Sequence, residues 1–162
     1  MHLVDRQSAL WGYLTDDIRG LIVDGELLVK HAEEDHRKVS DFSFMVFPFS
    51  KAYEGFIKKL LLDLELIQED EYYGEEIRIG RLLNPFYKDN NTNVFVRLCG
   101  PITKGQALAE RLWEVWRRGR NQVFHYFPHN FRKLSYKEAR EIIEEMLQVM
   151  DEAVTSCSLP ER

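Results

Sequence analysis

The segment of this 162-residue chain that is richest in reactive side chains is Arg117-Arg118-Gly119-Arg120-Asn121-Gln122-Val123-Phe124-His125. Histidine moves protons near neutral pH, and arginine, always charged, forks toward the oxygens of a phosphate. Together they suit attack of a ribose 2′-OH on the adjacent phosphate. That reaction needs one group to move the proton and a positive charge where the phosphorus centre gains negative charge. Arg120 and His125 are the candidates for these tasks, and Asn121 can donate an amide hydrogen bond to phosphate or orient a partner. Arg117, Arg118 and Lys51 are candidate substrate-binding cations. Residues five apart on an ideal helix differ by about 140° around the axis, so Arg120 and His125 would not share a face. Either the long arginine stem or a helix loosened at Gly119 brings them together, or a two-fold dimer sets one chain's pair beside the other's.

The charge distribution supports a phosphate-bearing ligand. The chain carries a net charge of −5, yet the stretch from Arg97 to Lys133 holds eight basic and two acidic residues. A local cationic segment on an acidic protein fits a confined anion site better than a general coating of nucleic acid. The plainer reading is chance clustering on a solvated helix face, and Lys51, Lys58 and Lys59 are most simply read that way. In the same vein, the aromatics Phe124, Tyr126, Phe127 and Phe131 read as packing more readily than as a base-stacking platform. His129, His31 and His36 have no carboxylate or cysteine partners at ligand spacing, so neither a metal nor a cofactor is expected. There is no glycine-rich phosphate loop, no H-E-x-x-H and no nucleophile elbow. Cys99 and Cys157 read as ordinary reduced thiols. No apolar run approaches the roughly 20 residues that span a bilayer, and the N-terminus lacks the pattern of an export signal, so a cytoplasmic protein is expected.

These side chains need helices to position them. With 44% apolar residues, 12% aromatics and no linker, the chain reads as one domain over residues 1–162. The expected class is all-α, a bundle of four to five main helices, with one short extended piece at Val94 to Leu98. Apolar residues three and four apart predict a helix or a broken pair over Gln7 to Ala32, with His31 to Lys38 as a solvated end. Pro48 followed by Ser50 as N-cap predicts a helix beginning there and burying Tyr53, Phe56, Ile57, Leu60, Leu61 and Leu64. Gln68 to Tyr73 reads as a loop, and Glu75 to Leu83 as a short helix ended by Asn84-Pro85. Thr103 caps a long helix through the Arg120 segment, with Pro128 just beyond its end, and a capping box at Ser135 and Glu138 opens the last helix, which runs to about Ser156.

Arg120, Asn121 and His125, late in an all-helical chain, resemble the site of HEPN domains, whose ribonuclease members carry an arginine, a neighbouring polar residue and a histidine a few residues on. The stretch Pro48 to Phe56, the residues Asp70, Tyr72 and Tyr73, and Arg78-Ile79-Gly80 with Asn84-Pro85 further resemble the toxin domain of the RnlA/LsoA family. The resemblance covers residues 42–156 and leaves about 40 residues of N-terminal helices before it, whereas the family's toxins carry further N-terminal domains. It implies that Glu54 completes the site, fixing the position or tautomer of His125. It also implies a metal-independent endoribonuclease, a toxin or RNA-degrading defence factor, with RNA as substrate, a homodimer as the active form and a proteinaceous antitoxin or inhibitor as a further partner. The alternatives are a non-catalytic HEPN-type module that binds a nucleotide or protein, and a structural bundle whose basic helix docks an acidic partner.

Overall fold

In a computed structural model, residues 2–35, 39–87, 94, 97–98, 102–157 and 159 are described, and among them the fold is all-helical, with no strand. The N-terminal pattern resolves into a broken pair, α1 (Ala9–Tyr13) and α2 (Asp16–Asp35). Two hydroxyl caps seven residues apart set the break: Ser8 Oγ accepts from Trp11 N–H at 3.1 Å, and Thr15 Oγ1 from Ile18 N–H at 3.4 Å. The buried carboxylate of Glu26 on α2 fastens the N-terminus, accepting from Leu3 N–H at 2.7 Å and pairing with Arg6.

The central helix, α3, spans Ser43–Asp63 and packs on α2 and α7. It starts earlier than the sequence suggests, with Phe42 rather than Ser50 at the N-cap position and Asp41 Oδ1, from the residue before it, accepting from Ser43 N–H at 2.9 Å. Pro48 is accommodated inside the helix rather than before it. Phe49, Phe56, Leu60 and Leu61 of α3 are all but inaccessible to water and form the middle of the core, each such side chain contributing about 1.5–3 kcal/mol of burial. Lys59 is also buried, contrary to its reading as part of a solvated face. Its ammonium pairs with Asp63 and lies 4.2 Å from the centre of the Tyr13 ring, while Tyr13 O–H donates to the same carboxylate at 2.7 Å. A buried charge is tolerable because it is paired in this way.

Gln68 to Tyr73 is helix rather than loop: α4 (Glu69–Tyr73) begins with a capping box of Gln68 and Glu71. Conversely, the helix expected over Glu75 to Leu83 shrinks to α5 (Ile79–Leu82), followed by a 3₁₀ turn at Pro85–Tyr87. Of the extended piece expected at Val94 to Leu98, the described residues make a turn closed by Arg97 N–H on Val94 O at 2.9 Å, and Phe95 and Val96 lie outside the described residues. Then come α6 (Ile102–Trp116), a π-helical turn (Arg117–Gln122), a 3₁₀ turn (Pro128–Asn130) and α7 (Tyr136–Ser156). The capping box of Ser135 and Glu138 stands at the head of α7, and Ile142, Ile143, Met146, Val149 and Met150 are buried along it. The regular helix thus stops well before Pro128. Cys157, just past α7, is disulfide-bonded, which corrects its reading as a reduced thiol; Cys99 lies outside the described residues. No described helix is long and apolar enough to cross a membrane.

Candidate functional site

The Arg120 segment is positioned by a change of helix type. At Trp116 the α-helical repeat gives way to six residues of π-helix, whose hydrogen bonds reach five residues along instead of four. Within that turn residues five apart come toward the same side; His125 lies beyond it, in a bend after Val123 and Phe124, whose N–H groups both donate to Arg120 O. Gly119 eases the packing of the turn. A Cβ there would lie 1.8 Å from Met146 Cε on α7, so with glycine the widened turn seats against that helix without displacing the end of the Met146 side chain. From the other side α3 fixes the same turn, as Ser50 Oγ donates to Gly119 O at 2.7 Å inside the core. One turn further along α3, Tyr53 O–H donates to Leu112 O of α6 at 3.0 Å. Complete burial pushes the Tyr53 hydroxyl well above its ordinary pKa, so it remains a neutral donor. Ser50 and Tyr53 are therefore anchors between helices, a role that the sequence reading of Ser50 as a cap concealed.

These anchors bring Glu54, next on α3, beside the π turn. Glu54 Oε2 lies 3.3 Å from Arg120 Nε, and the Arg120 guanidinium is 5.5 Å from the centre of the Trp116 ring. The carboxylate thus engages the arginine, rather than the histidine that the resemblance would pair it with. Both partners remain partly exposed, at 46% for the Arg120 side chain and 33% for Glu54. An ion pair so exposed contributes about 0–1 kcal/mol to stability, so its value lies in aiming the guanidinium.

Lys51, Glu54, Arg120 and His125 line one open cleft of about 230 Å³, together with Ser50 and the neighbouring aromatics Phe47 and Phe124. The two phenylalanine rings are 5.3 Å apart and 52% and 42% exposed. His125 lies beyond the π turn in the bend that follows it and is exposed. The cleft thus presents two cations, a carboxylate, an imidazole and an aromatic edge around a space the size of a phosphate and its sugar.

The other named residues lie elsewhere. Arg117 turns back to Glu114, with Nη2 to Oε2 at 2.7 Å, and Arg118 pairs with Glu145 on α7. Neither lines the cleft, and nor does Asn121, which is half-buried on the π turn. Among the described residues no three His, Cys, Asp or Glu side chains gather as a metal site. After His125 the chain reverses through His129 and Asn130, both with positive φ (60° and 48°). Asn130 Nδ2 then donates to Asp41 Oδ2 at 2.8 Å, tying the end of the site segment to the head of α3.

Trp116 forms part of the wall of a second cleft, on the far side of Arg120. Its Nε1–H is, among the described residues, the single buried side-chain nitrogen or oxygen with no hydrogen-bond partner. An orphaned donor of this kind costs about 1–3 kcal/mol. No signal in the sequence singled out this residue, since a tryptophan at helical spacing reads as core. Compared with protein-family models, with curated proteins and with solved structures, the chain matches none.

Proposed function

We propose that the protein is a metal-independent endoribonuclease of the HEPN class, cleaving RNA by attack of a ribose 2′-OH on the neighbouring phosphate. The observation that carries this reading is the convergence of His125, Arg120, Glu54 and Lys51 on one cleft. In the reaction His125 takes the 2′-OH proton, the 2′-oxygen bonds to phosphorus, and the bond to the 5′-oxygen breaks, that oxygen gaining a proton as it leaves. The products are a 2′,3′-cyclic phosphate and a 5′-hydroxyl. Arg120, aimed by Glu54, meets the charge that grows on the phosphoryl oxygens, and Lys51 adds a second positive charge at the rim. Asn121, off the cleft, has no part in this scheme, and Arg117 and Arg118 have none beyond the local positive field.

We assign it the role of a toxin or RNA-degrading defence factor, active as a homodimer and held in check by a proteinaceous antitoxin. The exposed aromatics of the cleft, Phe47 and Phe124, support burial of this face against a second copy. A cytoplasmic location fits an RNA substrate. Cytoplasmic thiols are kept reduced and Cys157 is disulfide-bonded, so activity is to be assayed with and without thiol reductant.

The test is incubation of the purified protein with RNA in excess EDTA, followed by analysis of the new ends. The reading requires cleavage with cyclic phosphate and 5′-hydroxyl termini, and no cleavage of DNA. Tight binding without any cleavage would instead establish the non-catalytic nucleotide-binding module.

A further inference from the structure

The Glu54–Arg120 ion pair stands between two cavities. Beyond the one that holds His125 lies a larger open cleft of about 670 Å³, bounded by α3, the segment leading into α5, and Trp116. Glu54 and Arg120 line both. The larger cleft brings together Lys58 of α3 and Arg78 at the head of α5, and of its two carboxylates Glu54 is already engaged with Arg120, leaving Glu75. Positive charge is therefore in excess. Aromatic surface is present as well: Tyr87 is 44% exposed at the edge, and the Trp116 ring forms part of the wall. A Cβ at Gly80 would lie 2.7 Å from Trp116 Cη2, so glycine there lets α5 close directly on the ring.

Cations for phosphate, the exposed Tyr87 ring for a base and a volume within the range of small-molecule pockets make one chemical description. We propose that this cleft is a second nucleotide subsite, taking the unpaired nucleotide next to the one held at Arg120 and His125, so that the substrate class is single-stranded RNA. The inference rests on the ribonuclease reading for the direction of the strand through the site. Continuity across the shared Arg120 edge lets one backbone run from cleft to cleft. A base must be free of its complement to enter a concave site of this depth, so a continuous duplex is excluded from the larger cleft.

The experiment measures binding separately from cutting. A fluorescently labelled single-stranded 2′-deoxy decamer, which lacks the attacking hydroxyl, is titrated by anisotropy into the wild-type protein, the Lys58→Ala/Arg78→Ala double variant and the Lys137→Ala control. Lys137 is an exposed cation on α7 away from both clefts. The double variant is expected to raise Kd about tenfold or more and to flatten the salt dependence of log K by roughly 1.4, near 0.7 for each lost phosphate contact. It should keep its melting temperature, and Lys137→Ala should stay within about twofold of wild type. With an RNA decamer as substrate, KM should rise in the same proportion. Cleavage by wild type together with unchanged decamer affinity in the double variant would overturn the subsite and leave the ribonuclease reading standing. Loss of affinity in the double variant with no cleavage by any preparation would support the subsite and remove the ribonuclease. Equal affinity for a hairpin duplex, or for adenosine 5′-monophosphate alone, would overturn the assignment to an unpaired strand.

Discussion

Arg120 owes its aim to one partner distant in the sequence, one a helical turn before it and the turn that carries it. Glu54 holds its Nε, Trp116 lies under the guanidinium, and the π turn sets the Cα from which the stem leaves. Replacing it with lysine keeps the charge and loses the planar fork, so Arg120→Lys should cleave RNA about a hundredfold more slowly than wild type, in single-turnover assays at saturating protein. Glu54→Gln, which removes the charge but can still accept a hydrogen bond, should have the smaller effect of about tenfold. A Glu54→Gln protein slower than Arg120→Lys would make the carboxylate a proton carrier instead of a positioning residue. At this scale the sequence offers side-chain types and spacings only. The Arg120 and His125 pair can be picked out because both lie in one short segment. That Glu54 meets Arg120, that Arg118 turns to Glu145, and that Arg117 folds back on Glu114 depend on helix packing and rotamers, which no spacing rule contains.

Among the elements, the π turn decides whether a site exists at all. It is wedged between α3, through Ser50, and α7, through Met146. Ser50→Ala leaves the Gly119 carbonyl without that buried donor and should lower stability by about 1–2 kcal/mol. Gly119→Ala forces its methyl into Met146, should cost about 1–3 kcal/mol, and should reduce cleavage more than the loss of stability explains, because the turn that aims Arg120 must shift. Urea melts combined with rates on the folded fraction check both; wild-type turnover by a folded Gly119→Ala protein would show the π turn to be incidental. Legibility at this scale follows the strength of local signals. The last helix is readable from end to end because its capping box and its apolar period agree. The start of α3 is obscured by Pro48, which reads as a boundary when the true N-cap, Phe42, lies six residues before it and offers no capping side chain. The helices α4 and α5 are five and four residues long, too short for periodicity to show.

For the molecule as a whole, Asp41 links the entrance of the central helix to the exit of the site segment. Burial alone would raise its pKa, but hydrogen bonds from the Ser43 side chain, Asn130, and the Ser43 and Leu134 backbone outweigh that and hold it below the ordinary value. Its stabilisation is therefore complete above the unfolded carboxylate's pKa, and disappears as pH falls through the lower folded value. Asp41→Asn should lose about 1 kcal/mol at neutral pH, a loss that shrinks toward zero in strongly acid solution. Thermal melts of both proteins across acid pH check this; a gap that stays constant would show that the charge is immaterial. The helical class follows from composition and period alone, whereas the joining of the two clefts across one ion pair is a property of the assembled fold. The central claim, that this cleft cleaves RNA through His125, is tested most directly by measuring the cleavage rate and melting temperature of one His125→Ala preparation beside wild type. The account predicts a rate lower by about a hundredfold or more with a nearly unchanged melting temperature, since His125 is exposed and outside the core. Wild-type cleavage by the folded variant, or a variant that is inactive because it has unfolded, would contradict it.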